Sequence, residues 1–166
     1  MGSGMIHSRR VQRLALLLGV AAAAAVVWLL WPRPSDRKLI LDLVAKAEHG
    51  VETKNAQEIM GCVALDYHDP SGLTRADVFR LAMHWQKTSE QADVSINQYQ
   101  LDIRPPAATG QFQVDLLLSQ GGQAGQPERL KLTVEFQKER RGLFGRAWVV
   151  RSVSGHGLGR DFEGLL

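Results

Sequence analysis

Val94-Ser-Ile-Asn-Gln-Tyr-Gln-Leu-Asp-Ile103 alternates apolar and polar residues in two phases rather than one: Val94 and Ile96 share the first, Tyr99, Leu101 and Ile103 the second. Successive side chains of a strand point to opposite faces, so a slip of one position at Asn97 and Gln98 calls for an extra residue there. The stretch predicts a long strand with a β-bulge, and therefore a strongly bent one. Downstream, Phe112, Val114, Leu116 and Leu118 alternate with polar residues, and so do Leu130, Leu132, Val134 and Phe136, which predicts two further half-buried strands. A fourth strand over 147–154 carries Trp148 and Val150 on one face and Val149 and Val153 on the other. Gly121 to Pro127 and Arg141 to Gly145 are read as the turns between them.

Upstream, the period changes to that of a helix. Ser35 is placed to cap a helix whose apolar stripe is Ile40, Leu43, Val44, Ala47 and Val51. Asn55 caps a second, short helix with Glu58 three residues on, burying Ile59, Met60 and Val63. Thr74 and Asp77 form a capping-box pattern before a third helix that buries Val78, Leu81, Ala82 and Trp85 and exposes Asp77, Arg80, His84 and Lys87. Between the last two lies the turn-rich segment Asp66-Tyr-His-Asp-Pro-Ser-Gly72.

Three helices packed on a curved, bulged four-stranded antiparallel sheet is an α+β arrangement. The chain resembles the nuclear transport factor 2-like superfamily, a SnoaL-like and cystatin-like α+β cone whose members include ketosteroid isomerase, scytalone dehydratase and polyketide cyclases. The resemblance covers roughly 35–154. It rests on the helix order, on Tyr67-His68-Asp69 followed by Gly72 and Thr74 before the third helix, and on the closing Trp148-Val-Val-Arg-Ser-Val153 strand. It implies a conical half-barrel around an apolar pocket, used in some members for catalysis and in many for docking partners. Tyr67, His68, Asp69, Trp85, Tyr99 and Trp148 are the pocket candidates.

Enzymes of this superfamily place acids or histidines in the pocket, where apolar surroundings raise a carboxyl pKa; the handling of such groups in ketosteroid isomerase is the known pattern. Here Asp102, Asp115 and Glu135 are all out of phase with the apolar residues of their strands, so no strand supplies an acid to the cone. The group at Asp66, Tyr67, His68 and Asp69 reads as an ordinary turn before it reads as a histidine with an acidic orienter. His84 stands on a polar helix face, His49 near a helix C-terminus, and His156 in a glycine-rich tail. No histidine pair has the spacing of a zinc site, and Cys62, the one cysteine, reads as buried filler. Neither a P-loop nor a dinucleotide fingerprint nor a nucleophile elbow occurs. The expectation is therefore no catalytic residue, no metal and no cofactor.

The N-terminal side carries a different signal. Leu14 to Trp31 is an uncharged apolar run of 18 residues. At about 1.5 Å per residue it covers roughly 27 Å, near the ~30 Å of a hydrocarbon core. It predicts one transmembrane helix at 14–31, after a short basic arm at 1–13 that ends in Arg13 and before a stiff linker at 32–35. Trp28 and Trp31 read as interface anchors, and Gly19 and Ala23 as a small-residue face that lets a neighbouring helix approach. The basic arm is expected in the cytoplasm and the domain at 36–154 in the periplasm, on a bacterial inner membrane. A cleaved signal peptide is the rival reading of this stretch.

The 166 residues suffice for one domain plus such an appendage, and the net charge of +3 belongs to the N-terminal side. Residues 1–38 hold six basic groups and one acid, leaving 14 basic and 16 acidic over 39–166. A mildly acidic domain without a base-reading motif excludes nucleic acid as the expected partner. Arg140, Arg141 and Arg146, with Lys138, surround Leu143 and Phe144 at a basic hairpin tip suited to anionic lipid or an acidic partner, and the tail over 155–166 ends in the apolar Phe162, Leu165 and Leu166. The sequence is therefore read as a membrane-anchored, non-catalytic accessory subunit of a larger integral membrane complex, partnered by the bilayer and other membrane proteins. The alternative is a small apolar ligand-binding protein or an isomerase- or cyclase-like enzyme using the cone.

Overall fold

The structure, a computed structural model, describes residues 34–88, 90–120, 123–141 and 145–156. The predicted membrane segment, its arm, Leu143, Phe144 and the tail residues Phe162, Leu165 and Leu166 lie outside the described residues; so do Arg13, Gly19, Ala23, Trp28 and Trp31. Among the described residues no helix is long and apolar enough to cross a membrane.

Helix α1 (Asp36–Glu52) starts where the Ser35 hydroxyl accepts the Lys38 amide. In α2 (Ala56–Cys62) the Asn55 carboxamide accepts the Glu58 amide. The Thr74–Asp77 capping box opens α3 (Arg75–Trp85), each side chain satisfying a backbone N–H that the first turn leaves without a helical partner. The indole of Trp85 donates to the Val51 carbonyl at 2.8 Å, and Lys54 lies over its ring while donating to the Thr88 carbonyl. These contacts tie the end of α1 to the end of α3.

The strands are β1 (Gln91–Arg104), β2 (Ala107–Gln120), β3 (Gln123–Ala124), β4 (Glu128–Arg141) and β5 (Gly145–His156). They pair antiparallel in the order β1-β2-β4-β5, and the two-residue β3 folds back on Ser119 and Gln120 within the segment read as a plain turn. The bulge stands where the phase change puts it: Ile96 pairs with Val114 and Gln98 with Gln113, leaving Asn97 as the extra residue.

A second bulge corrects the reading of β5. Phe136 pairs with Val150 but Glu135 with Ser152, so Arg151 is extra and everything after it changes face. The register therefore puts Val153 with Trp148 and Val150 against the main cluster, while Val150 and Val153 also pack against the cluster around Val149. The outer edge of β5 is sealed by the α2–α3 connection, where the Ala64 amide donates to the Val150 carbonyl and the His68 amide to the Arg151 carbonyl. A sheet edge with unpaired backbone groups is a template for aggregation, and this connection covers it at Val150 and Arg151.

Two apolar clusters result. Ile40 of α1, fully buried, packs on the concave face with Phe112, Val114, Leu130, Val134, Phe136 and Trp148, while Leu39, Leu43 and Val44 fill around it. Met60, Val63, Ala64 and Tyr67 enclose Val149 beyond the β5 edge. Each large apolar side chain removed from water contributes about 1.5–3 kcal/mol, so α1 is held mainly by this face. Phe112 meets Phe136 edge-on at 6.2 Å, its ring lying over Gly110, where an added Cβ would stand 2.4 Å from Phe112 Cε2. Gly110→Ala is accordingly expected to lower stability by about 1–3 kcal/mol, the usual cost of overpacking. An unfolding midpoint equal to that of the wild type, in thermal or urea melts of the full chain, would show that the ring is free to move aside.

Candidate functional site

The order of residues along each strand decides what faces the hollow of the cone. Phe112, Val114, Leu130, Val134 and Phe136 point into it, and α1 covers them. The acids point the other way: Asp115 is paired with Arg129 at 2.8 Å and with Asn97, Asp102 with Arg104, and Glu135 is exposed opposite Ser152. The Arg129 guanidinium lowers the Asp115 pKa, which keeps that carboxyl ionised rather than ready to exchange a proton.

One polar cluster does enter the covered side. Lys138, in phase with Phe136, turns inward to Asp36 at 2.6 Å and stacks over the Trp148 ring at 5.2 Å, while the Trp148 indole donates to the same Asp36 oxygen. This corrects the placement of Lys138 at the basic hairpin tip, because its strand parity sends it to the core side. Of the predicted tip residues, Arg140 and Arg146 face each other across β4 and β5, and both are exposed. Tyr99, 43% exposed, stacks on Phe112 and lies under Arg37. Trp85 and Trp148 are structural hydrogen-bond donors, so the six pocket candidates do not converge on one hollow.

Tyr67, His68 and Asp69 do stay together, as a turn. Asp69 is 6% exposed, and its Oδ1 accepts from the Ser71 amide and hydroxyl and from the Leu73 amide, while the Tyr67 hydroxyl donates to Oδ2. Burial, with Asp69 beside it, pushes the Tyr67 pKa well above its ordinary value, so the phenol stays protonated. The backbone of His68 bridges to β5, and its side chain is exposed. Elsewhere His49 Nδ1 meets Glu58 at 2.9 Å on the surface, and Cys62 is buried. Among the described residues no group of three or more histidine, cysteine or acidic residues is placed to hold a metal.

Among the described residues, two recesses bear on this question. A trough of about 1060 Å³ runs over the polar side of the sheet between the rows Gln98–Gln113–Lys131 and Gln100–Gln111–Thr133–Ser154. A second, of about 680 Å³, is bounded by Met60, Leu65, Tyr67, Thr74, Arg75, Ala76 and Phe79. Leu65 is 73% exposed and Phe79 49%, so a pair of large apolar side chains meets water at its walls. Sequence reasoning reached Tyr67 here but missed Leu65, Arg75 and Phe79. Phe79 sits next to Val78 on the helix, outside the buried stripe, and that unpaired aromatic was the available signal.

No family model matches the chain, and no curated protein matches it. Solved structures do. A protein from Catenulispora acidiphila in complex with S-DNPA aligns with a TM-score of 0.58 at 13% identity, over 72% of this chain and 90% of that one. An NTF2-like protein from Cytophaga hutchinsonii gives 0.57 at 14% identity, over 74% and 98%. Aln2 from a Streptomyces species gives 0.61 at 9% identity, over 75% and 91%. The fold is NTF2-like.

Within this NTF2-like domain the Asp36 cluster has a pH signature. The Lys138 ammonium first, and then the Trp148 indole, hold the Asp36 carboxyl below the ordinary range against the opposing effect of burial. A lowered folded pKa stabilises the fold above the unfolded value of about 3.9 and is lost as the pH falls through the folded value. Asp36→Asn is expected to cost about 1.5 kcal/mol at pH 7, at the low end for a charged hydrogen bond because the side chain is 28% exposed. The variant should also lose less further stability than the wild type between pH 5 and pH 2, the window set from that unfolded value. Thermal melts across that range check this, and parallel curves would refute it.

Proposed function

We propose that this NTF2-like domain is a non-catalytic binding module for a small, largely apolar molecule, and that its site is the recess between α2 and α3. The observation that carries this reading is the pairing of a filled cone with an open recess. Ile40, Phe136 and Trp148 are 0–3% exposed in the hollow that the fold reserves for ligands elsewhere, whereas Leu65 and Phe79 leave apolar area in water outside it. A recess of about 680 Å³ falls in the usual range of about 300–1,000 Å³ for small-molecule sites. The complex of the Catenulispora acidiphila relative with S-DNPA supports ligand binding as a use of this fold.

Absence of catalysis is part of the proposal. The Tyr67 phenol and the Asp69 carboxylate are committed to each other and to the turn, and the strand acids sit on the far side of the sheet. A general base needs an unoccupied acceptor within reach of its substrate, and these groups offer none. The proposed setting keeps the reading of the N-terminal sequence: a segment at 14–31 in the inner membrane, the domain outside it, and lipid or a larger membrane complex as neighbour.

The probe for the test is neutral 3-phenylpropanamide, titrated calorimetrically into the full chain in zwitterionic nanodiscs with empty nanodiscs as the blank. Binding is expected, weakened about tenfold by Phe79→Ser and by Leu65→Ser, since about 1.4 kcal/mol is a factor of ten and either side chain can contribute that much. His68→Ala is expected to leave it unchanged. No heat of binding above the blank, or wild-type affinity retained in both serine variants, would overturn the site.

A further inference from the structure

Arg75, the first residue of α3, lines the recess and is incompletely satisfied. Its Nε is buried and has no hydrogen-bond partner, and the contact from Nη2 to the Met60 carbonyl is long, at 3.5 Å. The carboxylates on the surrounding elements are all engaged elsewhere. Asp66 accepts from Gln137, Asp69 from Ser71, Leu73 and Tyr67, and Asp77 from Thr74 and Arg80. Among the described residues no acid pairs with Arg75. A guanidinium without a counterion, enclosed by Met60, Leu65, Ala76 and Phe79, is a receptor for an anion carried on an apolar body.

We infer that the molecule taken by the recess is a monocarboxylate with an aromatic or aliphatic body, its carboxylate received by the Arg75 fork and its body laid against Leu65 and Phe79. The inference rests on the binding reading above and names the ligand class. The guanidinium's terminal Nη groups, rather than the buried Nε, offer N–H donors at the spacing of the two carboxylate oxygens. A phosphate monoester fits less well. Arg75 is the sole cation among the lining residues, and the engaged Asp66, Asp69 and Asp77 nearby make a second negative charge unwelcome. The Tyr67 hydroxyl stays with Asp69, so selectivity for the anion falls on Arg75 alone.

The test compares 3-phenylpropanoate, 3-phenylpropanamide and phenyl phosphate, calorimetrically at pH 7, on the full chain in zwitterionic nanodiscs. The carboxylate is expected to bind at least tenfold more tightly than the amide. That preference should vanish in Arg75→Gln and return in part in Arg75→Lys. Equal affinities for carboxylate and amide on the wild type, a preference that survives Arg75→Gln, or phosphate binding as tight as carboxylate would each overturn the assignment while leaving the binding reading intact. If none of the three probes binds, both fall. The wild-type comparison stands even if a variant does not fold.

Discussion

A sheet of four long strands can cover one helix only if it bends, and the bend is what the rest of the molecule depends on. Two single-residue insertions, Asn97 in β1 and Arg151 in β5, supply it at opposite edges of the sheet. Between them the concave face wraps α1, and Ile40 reaches complete burial against Phe136 and Trp148. The close approach of Phe112 to Gly110 belongs to the same curvature, because there the ring lies flat along the strand in place of a side chain. The Asp36, Lys138 and Trp148 contacts then join the first turn of α1 to β4 and β5.

How much of this was legible depended on whether a residue's partners were near in sequence. The helix starts were readable because caps are local: Ser35, Asn55 and Thr74 act on amides three residues ahead. The bulge at Asn97 was readable because β1 is apolar on one side only, so a slip leaves a trace in the pattern. The bulge at Arg151 leaves none, since Trp148, Val149, Val150 and Val153 are apolar on both sides of β5, and a strand buried on both faces has no phase to lose. Lys138 misled for a related reason. Its charge suggested the surface, whereas its parity with Phe136 placed it against Asp36. The recess was hardest to read, because it is made by a connection that doubles back on β5 from far away in sequence.

That connection joins architecture to site. Residues 63–69 seal the β5 edge through the Ala64 and His68 amides, and the turn that follows is held by Asp69, which accepts from four groups. These bonds hold the backbone around Leu65 and Tyr67 where it walls the recess, and the capping box holds the start of α3, which carries Arg75 and Phe79. A site whose walls are ordered by the fold loses little entropy on binding, so even a modest apolar contact converts into affinity.

A shared fold leaves open where the chemistry sits, and this chain illustrates why. A hollow serves an enzyme when a strand brings a titratable group into it. In these strands the acids alternate outward, Asp115 to Arg129 and Asn97, Asp102 to Arg104 and Glu135 to the exposed face, while the inward positions hold phenylalanine, leucine and valine that pack with Ile40 of α1. Once the cone is filled, it acts as the core of the domain, and the surfaces left for recognition are those built by chain that crosses its rim. The α2–α3 recess, the site proposed above, is built that way, combining exposed apolar area with an arginine that no acid among the described residues pairs. Its walls divide accordingly: Leu65 and Phe79 stand outside the packed interior and can change without disturbing it, whereas Met60 and Tyr67 also belong to the second core cluster, so a change at either alters packing as well.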